Sequence, residues 1–201
     1  MKKIAKILPV LCLMIFVPVG GFALFDVKLY GGFPVAGHYD GCNQKIFAEN
    51  GAWGVSAHLN NVFLEFLQLG LGGFYQESTV KYKSPGAMWY GDDFTLKRHM
   101  IGLDAYAQLE IPLLPLCPYI RVSTVARNKI TGDTYSQLDY SHIDNFERHG
   151  IGGGVSITLV PIPALFRLQA FLEYAFEFGK EDDKRVRQGN LFLGLKADIL
   201  P

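Results

Sequence analysis

Residues 166–179 read FRLQAFLEYAFEFG, with apolar side chains on every even position and Arg167, Gln169, Glu173 and Glu177 on odd ones. A period of two marks a strand whose two faces meet different surroundings. Positions 169, 173 and 177 are also four apart, as on a helix. Arg167 lies off that stripe, however, and Phe166, Phe171, Tyr174, Phe176 and Phe178 enrich the segment in strand-favouring aromatics. The same alternation runs through GIGGGVSITL at 150–159, where four glycines make a helix untenable.

Eight segments share the pattern: 25–33, 52–60, 64–76, 98–111, 119–127, 148–160, 165–178 and 188–200. Several exceed the usual strand length of soluble domains and match what a tilted strand needs to cross a bilayer. Short links at 60–63, 112–115 and 161–164 alternate with longer ones near 34–50, 77–97, 128–147 and 179–187. An up-and-down meander with that rhythm gathers its long links at one end and its termini at the other. The expectation is an all-β, eight-stranded antiparallel up-and-down barrel, with prolines confined to strand ends.

Alternation does not say which row faces inward. In a soluble lipocalin-like barrel the apolar row fills the interior; in a transmembrane β-barrel it faces lipid. Residue size and charge favour the second. The polar row holds Gly54, Gly70, Gly72, Gly102, Gly152, Gly154 and Gly194, and an eight-stranded interior is only just wide enough for side chains. The same row carries Lys28, Arg98, Arg121, Arg127, Arg148, Arg167 and Lys196 against Asp26, Asp104, Glu110, Glu173, Glu177 and Asp198, a near balance that buried ions require. Pairing the strands by charge sets Glu110 opposite Arg121, Asp104 opposite Arg127 and Arg148 opposite Glu177. The candidate lumen network is therefore Arg98, Asp104, Glu110, Arg121, Arg127, Arg148, Arg167, Glu173, Glu177 and Lys196. A composition of 49% hydrophobic residues agrees with a membrane setting. Nineteen basic residues against nineteen acidic ones give no reason to expect a nucleic-acid partner.

Met1-Lys2-Lys3 leads into the apolar run ILPVLCLMIFVPV, and Gly21-Phe22-Ala23 closes it with small residues around one position. This reads as a cleaved signal peptide at 1–23, leaving a barrel domain at 24–201. An uncleaved anchor helix is the rival, against which Pro9, Pro18 and Gly20-Gly21 stand. Cys12 lies too deep in the apolar centre for a lipoprotein signal. Cys42 and Cys117 fall at opposite ends of the expected barrel and are expected to be free thiols.

With these segments in place, the chain resembles the small eight-stranded bacterial outer-membrane barrels of the OmpX and OmpW type. The resemblance covers 24–201 and rests on pattern and link lengths rather than on a signature motif. It implies an integral outer-membrane protein embedded in outer-membrane lipids and expected to be a monomer. It also implies insertion by the outer-membrane assembly machinery, which reads the last strand; Gly194, Ala197 and Ile199 fit that signal, whereas Phe192 and the ending Leu200-Pro201 depart from it. Relatives of the OmpX kind imply a plugged lumen and a surface-interaction role, those of the OmpW kind a narrow channel for small solutes.

Chemistry in the links is sparse. Ser141, His142 and Asp144 have the residue types of a hydrolase triad, as in lipid-modifying barrels, but neighbours in sequence seldom meet in triad geometry. His38, Asp40 and Cys42 form a thin metal set, while Asp92-Asp93 and Glu181-Asp182-Asp183 read as solvated charge. His58 and His99 fit polar contacts at strand positions. No catalytic residue, metal or cofactor is expected. Tyr82, Trp89 and Tyr90, with Tyr75, supply aromatics suited to a host or surface ligand, or to the interfacial girdle.

Overall fold

The computed structural model describes residues 23–39, 48–64, 66–82, 94–110, 114–132, 147–162, 166–181 and 184–199. They form β1 (Ala23–Tyr39), β2 (Ala48–Leu64), β3 (Leu67–Tyr82), β4 (Phe94–Leu109), β5 (Leu116–Gly132), β6 (Glu147–Ile162), β7 (Phe166–Glu181) and β8 (Lys184–Ile199). Each strand pairs antiparallel with its sequence neighbour, and β1 closes on β8 from Phe25↔Ile199 upward. The result is a closed eight-stranded up-and-down barrel.

The two rows separate as the alternation requires. On β7, Gln169, Phe171, Glu173 and Ala175 point inward and are buried, while Leu172, Tyr174, Phe176 and Phe178 are exposed on the outside. The outer wall continues through Leu29, Leu59, Leu103, Ile120, Ile151 and Leu193, whereas Asp26, Arg98, Gln169 and Asp198 are 0% exposed inside. A wall this apolar around a charged interior is inverted for water and suited to lipid.

Size matching fills the interior. Inward aromatics lie opposite inward glycines in register: Tyr30↔Gly54, Tyr106↔Gly70, Phe74↔Gly102, Tyr119↔Gly154 and Phe192↔Gly32. A side-chain carbon at any of these glycines would collide with the facing ring. Tyr30 meets Phe192 edge-on at 5.4 Å, and Tyr119, Phe171 and Ala175 join them in an apolar cluster.

Several expectations are corrected. The strands run to 16 or 17 residues, longer than their alternating cores. Where the wall leaves lipid both rows turn polar, as at Lys180, Arg185 and Arg187, and the binary pattern disappears while the backbone ladder continues. The expected long link at 179–187 therefore shrinks, because β7 runs to Glu181 and β8 starts at Lys184. The first short link moves from 60–63 to the stretch after Leu64.

The registers also differ from those set by charge. On β4–β5, Tyr106 faces Arg121 and Asp104 faces Ser123, so Glu110 is not opposite Arg121. Pro118, without an N–H, sits where this ladder ends at Gln108↔Tyr119. On β6–β7, Arg148 faces Gly179 and Gly150 faces Glu177. Arg127 is displaced entirely: a bulge at Ala126 puts it opposite Ile101 on the outer face, where it is exposed.

Candidate functional site

The lumen is built in tiers from side chains of all eight strands. At the short-link end, Arg167 lies 2.8 Å from Asp198 and also donates to Glu110. Lys196 sits 3.0 Å from Asp198 and donates to Gln108 at 3.1 Å and Gln68 at 3.3 Å. Every member of this tier is anchored on a different strand or alternate row position, so the tier ties β3, β4, β7 and β8 together.

Above it, His58 bridges two carboxylates, with Nδ1 2.6 Å from Asp26 and Nε2 3.0 Å from Asp104. Both ring nitrogens face acceptors, which a ring carrying both protons satisfies. Asp26 also accepts from Asn60 at 2.6 Å and from the Tyr106 hydroxyl. Asp104 accepts from Arg121 Nε at 2.8 Å, and Arg121 Nη1 reaches Glu173 at 2.9 Å. Tyr119 completes Glu173 at 2.9 Å. The ammonium of Lys28 stands over the Tyr106 ring at 4.1 Å and the Tyr119 ring at 5.0 Å, an attraction that is strong when desolvated.

A third polar tier follows the aromatic one. Arg148 lies 3.1 Å from Glu177 and donates to Gln188 at 3.1 Å, and Gln188 donates to Asn190 at 2.7 Å. Arg98 is buried nearby. Between the tiers, Gln76, Arg121, Ser123, Arg148 and Glu177 help line a pocket of about 20 Å³, room for one water.

Of the ten expected lumen residues, Arg98, Asp104, Glu110, Arg121, Arg148, Arg167, Glu173, Glu177 and Lys196 lie on the inward row, and Arg127 does not. Without Arg127, the inward cations among the residues whose side chains are described are Lys28, Arg98, Arg121, Arg148, Arg167 and Lys196, against Asp26, Asp104, Glu110, Glu173, Glu177 and Asp198. Counted without His58, these formal charges cancel, six against six. Sequence reasoning missed His58 as the hub. The available signal was its place on the inward row of β2, directly opposite Asp26.

Trp89, Tyr90, Ser141, His142, Asp144, Asp40, Cys42 and Asp92-Asp93 lie outside the described residues, as does the 1–22 stretch. For Tyr82 and His38 only the backbone is described. Cys117 is a buried free thiol at the foot of β5. No cluster of His, Cys, Asp and Glu with metal-binding geometry occurs among the described residues.

No protein-family model and no curated protein matches this chain. Solved structures do. The outer membrane protein OprG from Pseudomonas aeruginosa aligns with a TM-score of 0.50 at 9% identity, over 90% of this chain and 98% of that one. Neisserial surface protein A aligns at 0.47 with 17% identity, over 88% and 97%. The N-terminal β-barrel domain of Pseudomonas aeruginosa OprF aligns at 0.38 with 14% identity, over 89% and 99%. At these identities the likeness concerns the fold, and it agrees with the inverted distribution of polar and apolar residues. The chain is a closed eight-stranded up-and-down barrel with its apolar row outward, and it shares the fold of the outer membrane protein OprG.

Proposed function

We propose that this protein is an integral barrel of the bacterial outer membrane with a plugged lumen, acting at the cell surface in interaction, adhesion or envelope integrity rather than by catalysis. One observation supports this above the others. His58, Gln68, Arg98, Gln108, Gln169, Glu173 and Lys196 are all almost fully buried inside the bore, so side chains pack the interior at several levels. Residues 1–23 act as an export signal and 24–201 form the barrel, delivered to the outer-membrane assembly machinery and working as a monomer. The connections 83–93 and 133–146, with Trp89 and Tyr90, carry the contact with a host or surface ligand.

A narrow channel is the second reading, favoured by the water-sized pocket beside Arg121 and Arg148. Planar-bilayer recording separates the two. The plugged reading expects no discrete conductance steps from the reconstituted chain. Steps that shift in Arg121→Ala or Glu110→Ala would establish the channel. Cells displaying the protein with 83–93 and 133–146 shortened are expected to lose adhesion while the barrel keeps its heat-modifiable gel mobility. Ser141→Ala and His142→Ala are expected to leave function intact.

A further inference from the structure

β5 carries one more residue than β4 needs. Gly102 pairs with Val125 and Ile101 with Arg127, leaving Ala126 unpaired. A bulge re-aims every side chain beyond it. Below Ala126, Arg121 and Ser123 look into the lumen; above it, Asn128 takes the inward place opposite Met100. Arg127 and Lys129 emerge on the outer wall, both exposed. Had the alternation continued unbroken, two cations would have entered a bore whose formal charges already balance.

The outer wall at that height is prepared for them. His99 lies opposite Lys129, and Lys97 opposite Thr131. Tyr75 is 2.8 Å from His99 Nδ1, and His99 Nε2 is 3.0 Å from Thr131 Oγ1. Lys97 is 3.5 Å from Glu77 yet keeps a side chain 61% exposed. Glu77 is the acid that contacts Lys97 and His99 in this patch. Just below, Ile101 and Leu103 face outward, more than half their surface or close to it exposed. Trp53 packs edge-on against Tyr75 at 5.6 Å, the kind of pair that marks a membrane interface.

The cations thus sit on the outward row where its apolar stretch ends, beside aromatics of the interfacial kind, a height that suits contact with lipid phosphates. A guanidinium fork matches phosphate geometry, and an ammonium adds point charge. We propose that the outer wall of β3, β4 and β5 binds the phosphate of an anionic membrane lipid, with Arg127 and Lys129 as its principal cations and Lys97 beside them. A soluble polyanion is the weaker fit, because the patch lies on the side of the wall and not at the mouth of the barrel.

The test uses the full chain purified from membranes and reconstituted in phosphatidylcholine vesicles. Spin-labelled phosphatidylglycerol or phosphatidylcholine is added as probe, and the motionally restricted fraction gives relative association. The wild type is expected to prefer phosphatidylglycerol on the order of twenty-five-fold, since each of its two principal cations contributes about fivefold near the surface. Arg127→Gln with Lys129→Gln is expected to bring the two lipids close to parity, while Arg127→Lys with Lys129→Arg retains the preference. Lys180→Gln with Arg185→Gln, on the exposed β7–β8 wall, is expected to keep most of it. Heat-modifiable mobility checks that each variant is folded. Equal association of both probes with the wild type overturns the proposal. So does an equal fall in both glutamine pairs, which would mean bulk charge without a site. Arg127- and Lys129-dependent binding of a heparin oligosaccharide in detergent, with no lipid preference in vesicles, overturns it in favour of a soluble polyanion.

Discussion

His58 joins strands that no single hydrogen bond could join, because its two nitrogens reach carboxylates on β1 and β4 from β2. Removing the ring leaves Asp26 and Asp104 buried, each short of one partner. Taking away one member of a buried ionic network costs about 3–5 kcal/mol. His58→Ala is therefore expected to lower unfolding stability by that order in urea titrations of the vesicle-bound barrel. Arg127→Gln, on the outer wall, is expected to change it by no more than about 0.5 kcal/mol. Similar losses in the two variants would show that the lumen network contributes little to stability.

At the scale of the strand, the sequence revealed orientation better than register. Orientation is written at every position of the transmembrane stretch, because each outward residue must suit lipid and each inward one must fit the bore. Register is decided at few places, by link geometry and bulges. Val125-Ala126-Arg127 looks like unbroken alternation, and nothing local shows that Ala126 drops out of the ladder. The charge rule failed for a related reason. Long side chains reach diagonally, so Arg148 finds Glu177 at 3.1 Å although it faces Gly179. Arg121 finds Asp104 in the same way. Deleting Ala126 tests the bulge directly. A cysteine at position 129 (Lys129→Cys) is expected to react with a membrane-impermeant maleimide in the parent chain. In the deletion it is expected to be protected or the barrel to lose heat-modifiable mobility. Unchanged labelling in a folded deletion variant would show that the bulge does not aim this row.

For the whole molecule, strands of 16 or 17 residues at about 3.3 Å per residue and a tilt near 40° rise roughly 40 Å along the axis, against an apolar band of about 25 Å. Part of the wall stands beyond the lipid, towards the end with the longer connections. A bulky maleimide on intact cells is accordingly expected to modify Cys42 and to reach Cys117 only after denaturation. Labelling of both thiols alike would reverse the inside-out assignment. Inside the wall, the facing glycines and aromatics leave no slack on either side of a pair. A larger residue at Gly70 has nowhere to go until Tyr106 shrinks, and a smaller one at Tyr106 leaves a hole that glycine cannot fill. The interior can therefore drift in evolution only by paired exchange between adjacent strands, while the lipid-facing row is free to change one residue at a time. For an engineer the same rule points to a route: the bore is widened at its aromatic level by trimming Tyr30, Phe74 and Phe192, whose glycine partners cannot close the gap, while the ionic tiers that hold the strands in place are left intact.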